Sequence, residues 1–309
     1  MNTEKLGAFG AGEITDALKA GQLALYLGPF VTSLKIAHKG AIAFFQDMYR
    51  DCPVSLGGDV LADYSLALKA PNRFRRYVRK QIVPDPGFYF PSVPLPAHMA
   101  PLALEMGLNL CVALQCFRHL IFHAGVVEKD GAGVMIAAAS GGGKSTLTAA
   151  LMQEGARLLS DEFAILDMAA GALKAYPRPV SLKNTSIDVV SDFAGAGAVG
   201  GRLTGTPKGA VAYRRARDSD IAAMDRDSVP KLILFPKFTA EAAPKAVRLE
   251  PADAAMQLIA SSPNYHVIGR KAFDALMTMM DGMAAYELEY GSTEDSLGLV
   301  DDLWREHSP

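Results

Sequence analysis

Apolar positions along the first hundred residues predict a strand, a helix and a proline-rich boundary. LALYLGPFV at 23–31 is an apolar run typical of a buried strand. IAFFQDMYR at 42–50 has helical spacing and ends before a proline. VPDPGFYFPSVPLP at 83–96 is too rich in proline for a regular element, so it predicts an irregular segment. We therefore expect a smaller N-terminal α+β domain at 1–97 and a second domain at 98–309.

The second domain alternates helical and strand-like patterns. AHMAPLALEMGLNLCVALQCF at 97–117 has apolar residues at helical spacing and predicts a long, largely buried helix. HLIFHAGVVEKDGAGVMIAAAS at 119–140 predicts two strands joined by a turn at 129–131. Strands and helices in alternation are typical of an α/β or mixed α+β fold. The further predicted elements are a helix at 145–154, strands at 156–162 and 229–238, helices at 251–260 and 270–284, a strand at 286–291 and a helix at 292–307.

The composition predicts a sizeable hydrophobic core, and the net charge does not indicate a polyanionic binding partner. Half of the 309 residues are hydrophobic, 21% are charged and the net charge is −2. This balance does not favour binding of a nucleic-acid polymer or of an anionic membrane. No apolar run approaches about 18 residues and the N-terminus lacks a basic and then apolar leader, so we expect a cytoplasmic protein without a membrane segment. Cys52, Cys111 and Cys116 are too sparse for a disulfide framework or a zinc site, and we expect reduced thiols.

A glycine run followed by Lys-Ser-Thr, ASGGGKST at 139–146, stands between an apolar strand and a predicted helix. It satisfies the phosphate-loop pattern except that Ala138 occupies the position of the first glycine. Glycines let backbone N–H groups surround phosphate oxygens, and the helix N-terminus adds partial positive charge. A glycine-rich turn before a helix needs no ligand, but the combination with Lys-Ser-Thr favours an ATP site. The predicted phosphate-binding residues are Ser140, Gly141, Gly142, Gly143, Lys144, Ser145 and Thr146.

Two adjacent acids, Asp161 and Glu162, lie at the C-terminal end of the predicted strand ARLLSDE, and Asp161 comes only 17 positions after Lys144. Ligands of open α/β sheets lie at the carboxyl ends of strands, so a strand directly after the loop helix returns Asp161 to the phosphates. A solvated acidic turn is the alternative. Lys144 is expected to reach the β- and γ-phosphates, and the Ser145 hydroxyl is expected to bind Mg²⁺.

These segments resemble a known family. His123 in HLIFHAGVV, together with ASGGGKST and RLLSDE, is similar to the catalytic domain of HPr kinase/phosphorylase, whose fold is related to phosphoenolpyruvate carboxykinase. LEMGLNL, HAGVVE, SGGGKSTLTAAL, RLLSDEFAIL and PRPVSLKN look closer to the HPr kinase-related proteins of bacterial peptide-modification gene clusters. The resemblance covers residues 100–190 with specific motifs and the rest more loosely. It implies an α/β P-loop kinase core of the HPr kinase/phosphoenolpyruvate carboxykinase type.

The resemblance also implies roles for three residues. Asp161 matches the acid that takes the proton of the acceptor hydroxyl, Glu162 matches a second acid near the metal, and His123 matches a histidine close to the catalytic acid. A histidine in an apolar strand is also commonly a core residue. Thr146 replaces the acid that follows Lys-Ser in the HPr enzymes, and their C-terminal signature is not found here, so HPr itself is in doubt as the substrate.

The resulting expectation is an Mg-ATP-dependent kinase acting on a hydroxyl, of Ser or Thr, in a peptide or protein acceptor encoded nearby. A small-molecule kinase or phosphorylase, or a non-catalytic nucleotide-binding switch, is the alternative, and self-association stays open. Arg178 and Lys183 are candidates for binding phosphate or acceptor, with surface or structural roles equally open. A basic cluster is either a docking face or a solvated helix face, and its members are Arg73, Arg75, Arg76, Arg79 and Lys80.

Overall fold

The computed structural model describes residues 3–57, 60–138, 141–195 and 197–307. Its β-strands, in chain order, are β1 Glu4–Lys5, β2 Leu23–Leu27, β3 Phe30–Ile36, β4 Pro53–Leu56, β5 Tyr64–Lys69, β6 Gln81–Asp85, β7 Leu95–Pro96, β8 Leu120–Phe122, β9 Gly125–Lys129, β10 Ala132–Ile136, β11 Arg157–Ser160, β12 Ala164–Asp167, β13 Ala172–Lys174, β14 Val180–Lys183, β15 Leu203–Thr206, β16 Gly209–Arg214, β17 Val229–Phe238, β18 Lys245–Arg248 and β19 Ala284–Tyr290. The α-helices are α1 Ala11–Ala20, α2 Lys39–Met48, α3 Ala100–Gln115, α4 Lys144–Gln153, α5 Thr185–Ala194, α6 Asp218–Ala222, α7 Pro251–Ser261, α8 Tyr265–Ile268, α9 Arg270–Asp281 and α10 Thr293–His307, with short 3₁₀ helices at Leu6–Ala8 and Ala97–Met99.

The chain divides into two compact units, but the boundary lies at Cys116 and not at the proline-rich segment that ends the predicted first domain at residue 97. The first unit is Met1–Cys116 with Arg202–Ala210, and the second is Phe117–Gly201 with Val211–Pro309. Helix α3, which the pattern assigns to the second domain, therefore belongs to the first unit. The reason is packing, because a Cβ on Gly107 of α3 would lie 2.5 Å from a methyl carbon of Leu66 on β5.

The first unit is built on one mixed sheet. In the described residues its strand order is β1-β4-β2-β3-β5-β6-β7, and every neighbouring pair is antiparallel except β3 with β5. Buried positions alternate with less buried ones along Phe30–Ile36, as expected for a strand with one face on the core. The predicted run at 23–31 thus contains β2 and the turn into β3, with the break at Gly28-Pro29.

The basic cluster at 73–80 lies in consecutive turns between β5 and β6 and not on a helix. The guanidinium carbon of Arg75 is 5.8 Å from the ring centroid of Phe74, and that of Arg76 is 5.8 Å from Tyr77. Both rings are largely exposed, at 62% and 71%. A solvated helix face therefore does not explain the cluster, and a docking role stays a prediction.

One helical stretch, Ala97–Gln115, meets the length and composition of a membrane span among the described residues, where the sequence pattern predicts none. It is 19 residues long, and 56% of its most apolar window is buried within the protein. Glu105 in its middle is 3% exposed and accepts a 2.6 Å hydrogen bond from the Tyr49 hydroxyl. A core helix passes the same test of length and composition.

The second unit contains the sheet that holds the predicted loop. Across the described residues its strand order is β11-β9-β10-β17-β19-β18, with β10, β17 and β19 parallel to one another and the other pairs antiparallel. The strand predicted at 229–238 coincides with β17. Its central LILF is fully buried, which is typical of a parallel strand covered on both faces. The described residues as a whole form a mixed α/β structure with several sheets.

Residues 119–138, the described part of the segment at 119–140, form three strands, where the apolar pattern predicts two. β9 and β10 form the expected hairpin, with Asp130 and Gly131 at positive φ in the turn. β8 pairs instead with β12, in a separate three-stranded sheet ordered β13-β12-β8 among the described residues. The chain therefore changes sheets at His123–Ala124. This change of sheet places His123 at a strand end.

Candidate active site

The glycine run connects a buried strand to a helix, as its pattern predicts. β10 is buried along its whole length, and α4 begins at Lys144. Gly141 and Gly143 have φ values of 90° and 96°, a left-handed conformation that L side chains rarely adopt. Ser140, one of the predicted phosphate ligands, lies outside the described residues. Thr146 is partly exposed in the first turn of α4.

Two aromatic residues that the sequence reasoning missed flank the loop. A Cβ on Gly143 would lie 2.6 Å from the Tyr290 hydroxyl, and the N–H of Phe238 donates to the carbonyl of Gly142 at 3.4 Å. Tyr290 is 4% exposed, and burial raises its pKa to about 12, so the phenol is protonated at neutral pH. Phe238 and Tyr290 are paired in register at the carboxyl ends of β17 and β19. The FPKF and ELEY endings of two apolar strands are the signal that could have found them.

Gly143→Ala is expected to weaken nucleotide binding more than Gly141→Ala. Both substitutions force alanine into left-handed backbone, at a cost of about 1–2 kcal/mol. Only at position 143 does the new methyl group also meet the Tyr290 hydroxyl, whereas a Cβ at 141 meets no described heavy atom within 4 Å. Overpacking costs about 1–3 kcal/mol more, which is roughly tenfold in affinity.

Fluorescence titration with a labelled ATP analogue measures the difference between these variants. Gly143→Ala combined with Tyr290→Phe should recover part of the affinity, since the second change removes the obstructing oxygen. Equal affinities for the two glycine variants would contradict the close packing of Tyr290 on the loop.

The predicted lysine, serine and first acid come together at the start of α4. The Lys144 amine donates to the backbone carbonyl of Asp161 and lies 3.5 Å from its Oδ1. The Ser145 hydroxyl donates to Asp161 Oδ2 at 3.0 Å. The N–H of Ser181, on β14, donates to the same oxygen at 3.0 Å. The Asp161 side chain is only 1% exposed, so its carboxylate is held among donors from two segments of the chain, the start of α4 and β14.

Small residues allow this close approach. β11 ends at Ser160, two residues before the end of the predicted strand at 156–162, so Asp161 directly follows the strand instead of lying within it. On the neighbouring β9, a Cβ at Gly125 would lie 2.6 Å from the Thr148 hydroxyl, 3.7 Å from Lys144 Cγ and 3.6 Å from the Asp161 carbonyl. Helix α4 thus packs directly on the β9 backbone beside the lysine and the acid.

The second acid and the predicted histidine form a separate pair. His123 Nδ1 is 3.5 Å from Glu162 Oε2, and the side chains are 48% and 19% exposed. Partial burial and the charge of Lys144 lower the pKa of His123 below its ordinary value, although Glu162 opposes them. The imidazole is therefore neutral at neutral pH. Its ring also meets that of Phe163 edge to face, with centroids 6.4 Å apart.

The charge state of Glu162 is set by the cations around it. Burial alone would raise the pKa of this carboxyl, but the positive charges around it, led by Lys144, outweigh burial and hold the pKa below its ordinary value. Arg178 and Lys183 contribute to this lowering, so both predicted cations act on the same site. Arg178 is 4% exposed with its guanidinium carbon 5.3 Å from the Tyr176 ring centroid, which excludes a surface role for it.

The donor set suits a magnesium ion shared with a nucleotide better than a metal held by protein alone. No group of three or more His, Cys, Asp or Glu side chains is placed to hold a metal ion in the part of the chain that the structure describes. Mg²⁺ commonly takes only one or two protein ligands, with phosphate oxygens and water completing its octahedron. The Ser145 hydroxyl and one carboxylate beside it meet that need, so the residues present fit Mg-ATP.

Comparison with known proteins yields a distant structural likeness. The chain matches no family model. It also matches no curated protein sequence. Among solved structures it is similar to the HPr(Ser) kinase/phosphatase from Coxiella burnetii, with 14% identity over 60% of this chain and 94% of that chain and a TM-score of 0.26. The chain thus has a distant HPr kinase-like structural neighbour.

Proposed function

We propose that this protein is an Mg-ATP-dependent kinase that phosphorylates a hydroxyl, of Ser or Thr, in a peptide or protein acceptor. The observation that carries the proposal is the meeting of Lys144 and Ser145 with the buried carboxylate of Asp161. The lysine and serine open a helix after a glycine turn, which is the arrangement that binds nucleotide phosphates. The second unit would then be a P-loop kinase core, of the type found in peptide-modification gene clusters.

The residues at this site supply what phosphoryl transfer requires. Such transfer depends mainly on positioning and on neutralising charge. The Lys144 amine and the backbone N–H groups at the start of α4 bind the phosphates, and the Ser145 hydroxyl with a neighbouring acid binds Mg²⁺. The ion, when bound, neutralises charge that develops on the phosphate oxygens. One of the two acids that follow β11 accepts the proton of the acceptor hydroxyl.

The direct test is phosphate transfer to candidate acceptors. The purified protein is incubated with Mg-ATP and peptides encoded by neighbouring genes, and the products are analysed by mass spectrometry. We expect a phosphorylated Ser or Thr and an equal amount of ADP. Omission of Mg²⁺ and the Lys144→Ala variant are the controls, and neither should give product.

The same assay separates the alternatives. ADP formed only when a small metabolite is supplied would replace the peptide acceptor by that metabolite. ATP formed from ADP and a phosphorylated acceptor would indicate the reverse, phosphorylase-type reaction. ATP binding without ADP formation for any acceptor would indicate a nucleotide-binding switch and would refute the kinase.

A further inference from the structure

We infer, given the proposed kinase function, that the exposed turns at 73–80, between β5 and β6, bind an acidic stretch of the peptide or protein acceptor. The acceptor is then expected to carry carboxylates with an apolar side chain among them, in addition to the hydroxyl that receives the phosphate. The charge, the exposed rings and the local hydrogen bonds of these turns point to this ligand.

The turns at 73–80 carry five cations that the described part of the first unit does not neutralise. None of these side chains takes part in an ion pair among the described residues. The two acids closest to them in sequence have other partners, since Asp85 pairs with Lys69 and Asp63 Oδ2 accepts a 2.8 Å hydrogen bond from the N–H of Val31. The turns therefore present positive charge that is available to an anionic ligand.

The short length of this positive region favours a peptide over a nucleic-acid polymer. Residues 1–116 contain 11 Lys and Arg and 9 Asp and Glu, and five of those cations lie at 73–80. The rest of this stretch is net negative, with 6 cations against 9 acids. A long polyanion needs an extended basic surface and would meet repulsion beyond the turns. A short acidic segment needs only the turns themselves.

Apolar groups stand among the cations, so the ligand is expected to be more than a row of charges. Phe74, Tyr77 and Val78 are 62%, 71% and 46% exposed. The guanidinium groups of Arg75 and Arg76 lie beside the two rings. Aromatic residues and arginine are the residue types enriched in protein interfaces, and arginine clusters recognise acidic motifs. A guanidinium also binds a carboxylate through two parallel hydrogen bonds.

The backbone of the turns is ordered by hydrogen bonds of its own. The carbonyl of Phe74 accepts from the N–H groups of Tyr77 and Val78, at 3.1 and 3.0 Å. The carbonyl of Arg75 accepts from the N–H of Gln81, the first residue of β6, at 3.1 Å. A surface whose backbone is already ordered loses less entropy when a ligand binds. The turns therefore suit recognition of a flexible peptide segment.

Binding of defined peptides to the full-length protein tests the inference. A short fluorescein-labelled peptide of Asp, Glu, Leu and Phe is titrated by fluorescence anisotropy at physiological salt, beside a peptide in which Asn and Gln replace the acids. The wild-type protein should bind the acidic peptide about 10-fold more tightly than the amide peptide, because several exposed charge pairs add up to this factor.

Two variants and a matched control locate the binding surface. Arg73→Gln, Arg76→Gln and Arg79→Gln combined should weaken binding of the acidic peptide by about 10-fold. Phe74→Ser with Tyr77→Ser should weaken it by a similar factor, because exposed aromatic anchors are lost. Removal of three exposed cations from α9 and α10 leaves the same net charge and should not change the affinity; the control substitutions are Arg270→Gln, Lys271→Gln and Arg305→Gln.

Contrary outcomes assign the turns to another ligand or to none. Equal affinities for the acidic and amide peptides, or equal losses in the triple variant and its control, would overturn the inference. Tighter binding of labelled oligouridylate or of phosphatidylserine vesicles than of the acidic peptide would replace the acceptor by RNA or by a membrane. Self-association of the wild-type protein that the triple variant abolishes would replace it by a second copy. The titration contains no nucleotide, so its failure is distinct from failure to bind a fluorescent ATP analogue, which would refute the proposed function.

Discussion

Lys144→Ala should abolish measurable nucleotide binding and also destabilise the second unit. The side chain is 11% exposed and its amine contacts both the carbonyl and the carboxylate of Asp161. Loss of a charge pair of this kind with a ligand costs about 2–5 kcal/mol, which is roughly 30-fold or more in affinity. In the free protein the same change leaves the buried carboxylate without its cation, and breaking a buried pair costs about 3–5 kcal/mol.

A double variant separates the two effects. Lys144→Ala combined with Asp161→Asn removes both charges, so thermal unfolding should recover toward the wild-type midpoint while binding of a fluorescent ATP analogue stays lost. Lys144→Ala alone should unfold at a lower temperature than the double variant. Wild-type affinity in Lys144→Ala would refute the phosphate-loop assignment. A wild-type unfolding midpoint in the same variant would show that the contact with Asp161 contributes little to folding.

The phosphate loop and the acid beside it could be predicted from sequence because they come from one short, continuous stretch of the chain. The glycines, Lys144 and Ser145 are consecutive, and the strand and helix on either side have clear apolar patterns. The return of Asp161 to the loop follows from one short helix and one short strand, which leave the chain little choice of path. The structure places these residues together as expected, while their roles stay proposals.

The rest depends on pairing that a single apolar run does not reveal. HLIFHAGVVEK reads as one strand, yet its halves join different sheets, and His123 lies at the break. Phe238 and Tyr290 are 52 residues apart in the sequence. They both lie beside the loop because β17 and β19 are parallel neighbours in which these two residues are paired. Ser181 contributes a backbone N–H, and because nearly every residue type has this group, the sequence alone does not identify Ser181 as part of the site.

The domain boundary shows a similar limit. Prolines at 83–96 do interrupt regular structure, but two short strands in and beside that segment, β6 and β7, still pair within the first sheet. The following helix α3 packs on that sheet through Gly107, so the division falls at its end. Which surface a helix covers is decided by shape complementarity, and apolar periodicity gives only the existence of a buried face.

A second large effect is expected from a buried ion pair between β9 and β11, the strand that precedes the two acids. Arg157 on β11 faces Glu128 on β9 in register, and their side chains are 8% and 10% exposed. The Arg157 Nε donates to Glu128 Oε2 at 2.8 Å, and its other nitrogens donate to the carbonyls of Ala223 at 2.9 Å and Arg226 at 3.0 Å. The guanidinium therefore joins β9, β11 and the segment after α6.

Arg157→Met should lower the free energy of unfolding by about 3–5 kcal/mol, because it leaves the Glu128 carboxylate buried without this partner and two carbonyls without their donor. Urea unfolding followed by circular dichroism measures the change. Arg157→Met with Glu128→Gln should be less destabilised than the single variant, since no buried charge is left behind.

Arg270→Met is the matched control. Arg270 pairs with Asp274 at 2.9 Å on the surface of α9, where the side chains are 86% and 55% exposed, and such exposed pairs contribute little. An Arg157→Met protein that unfolds at the same urea concentration as Arg270→Met would show that the contacts of this arginine do not stabilise the β9–β11 edge.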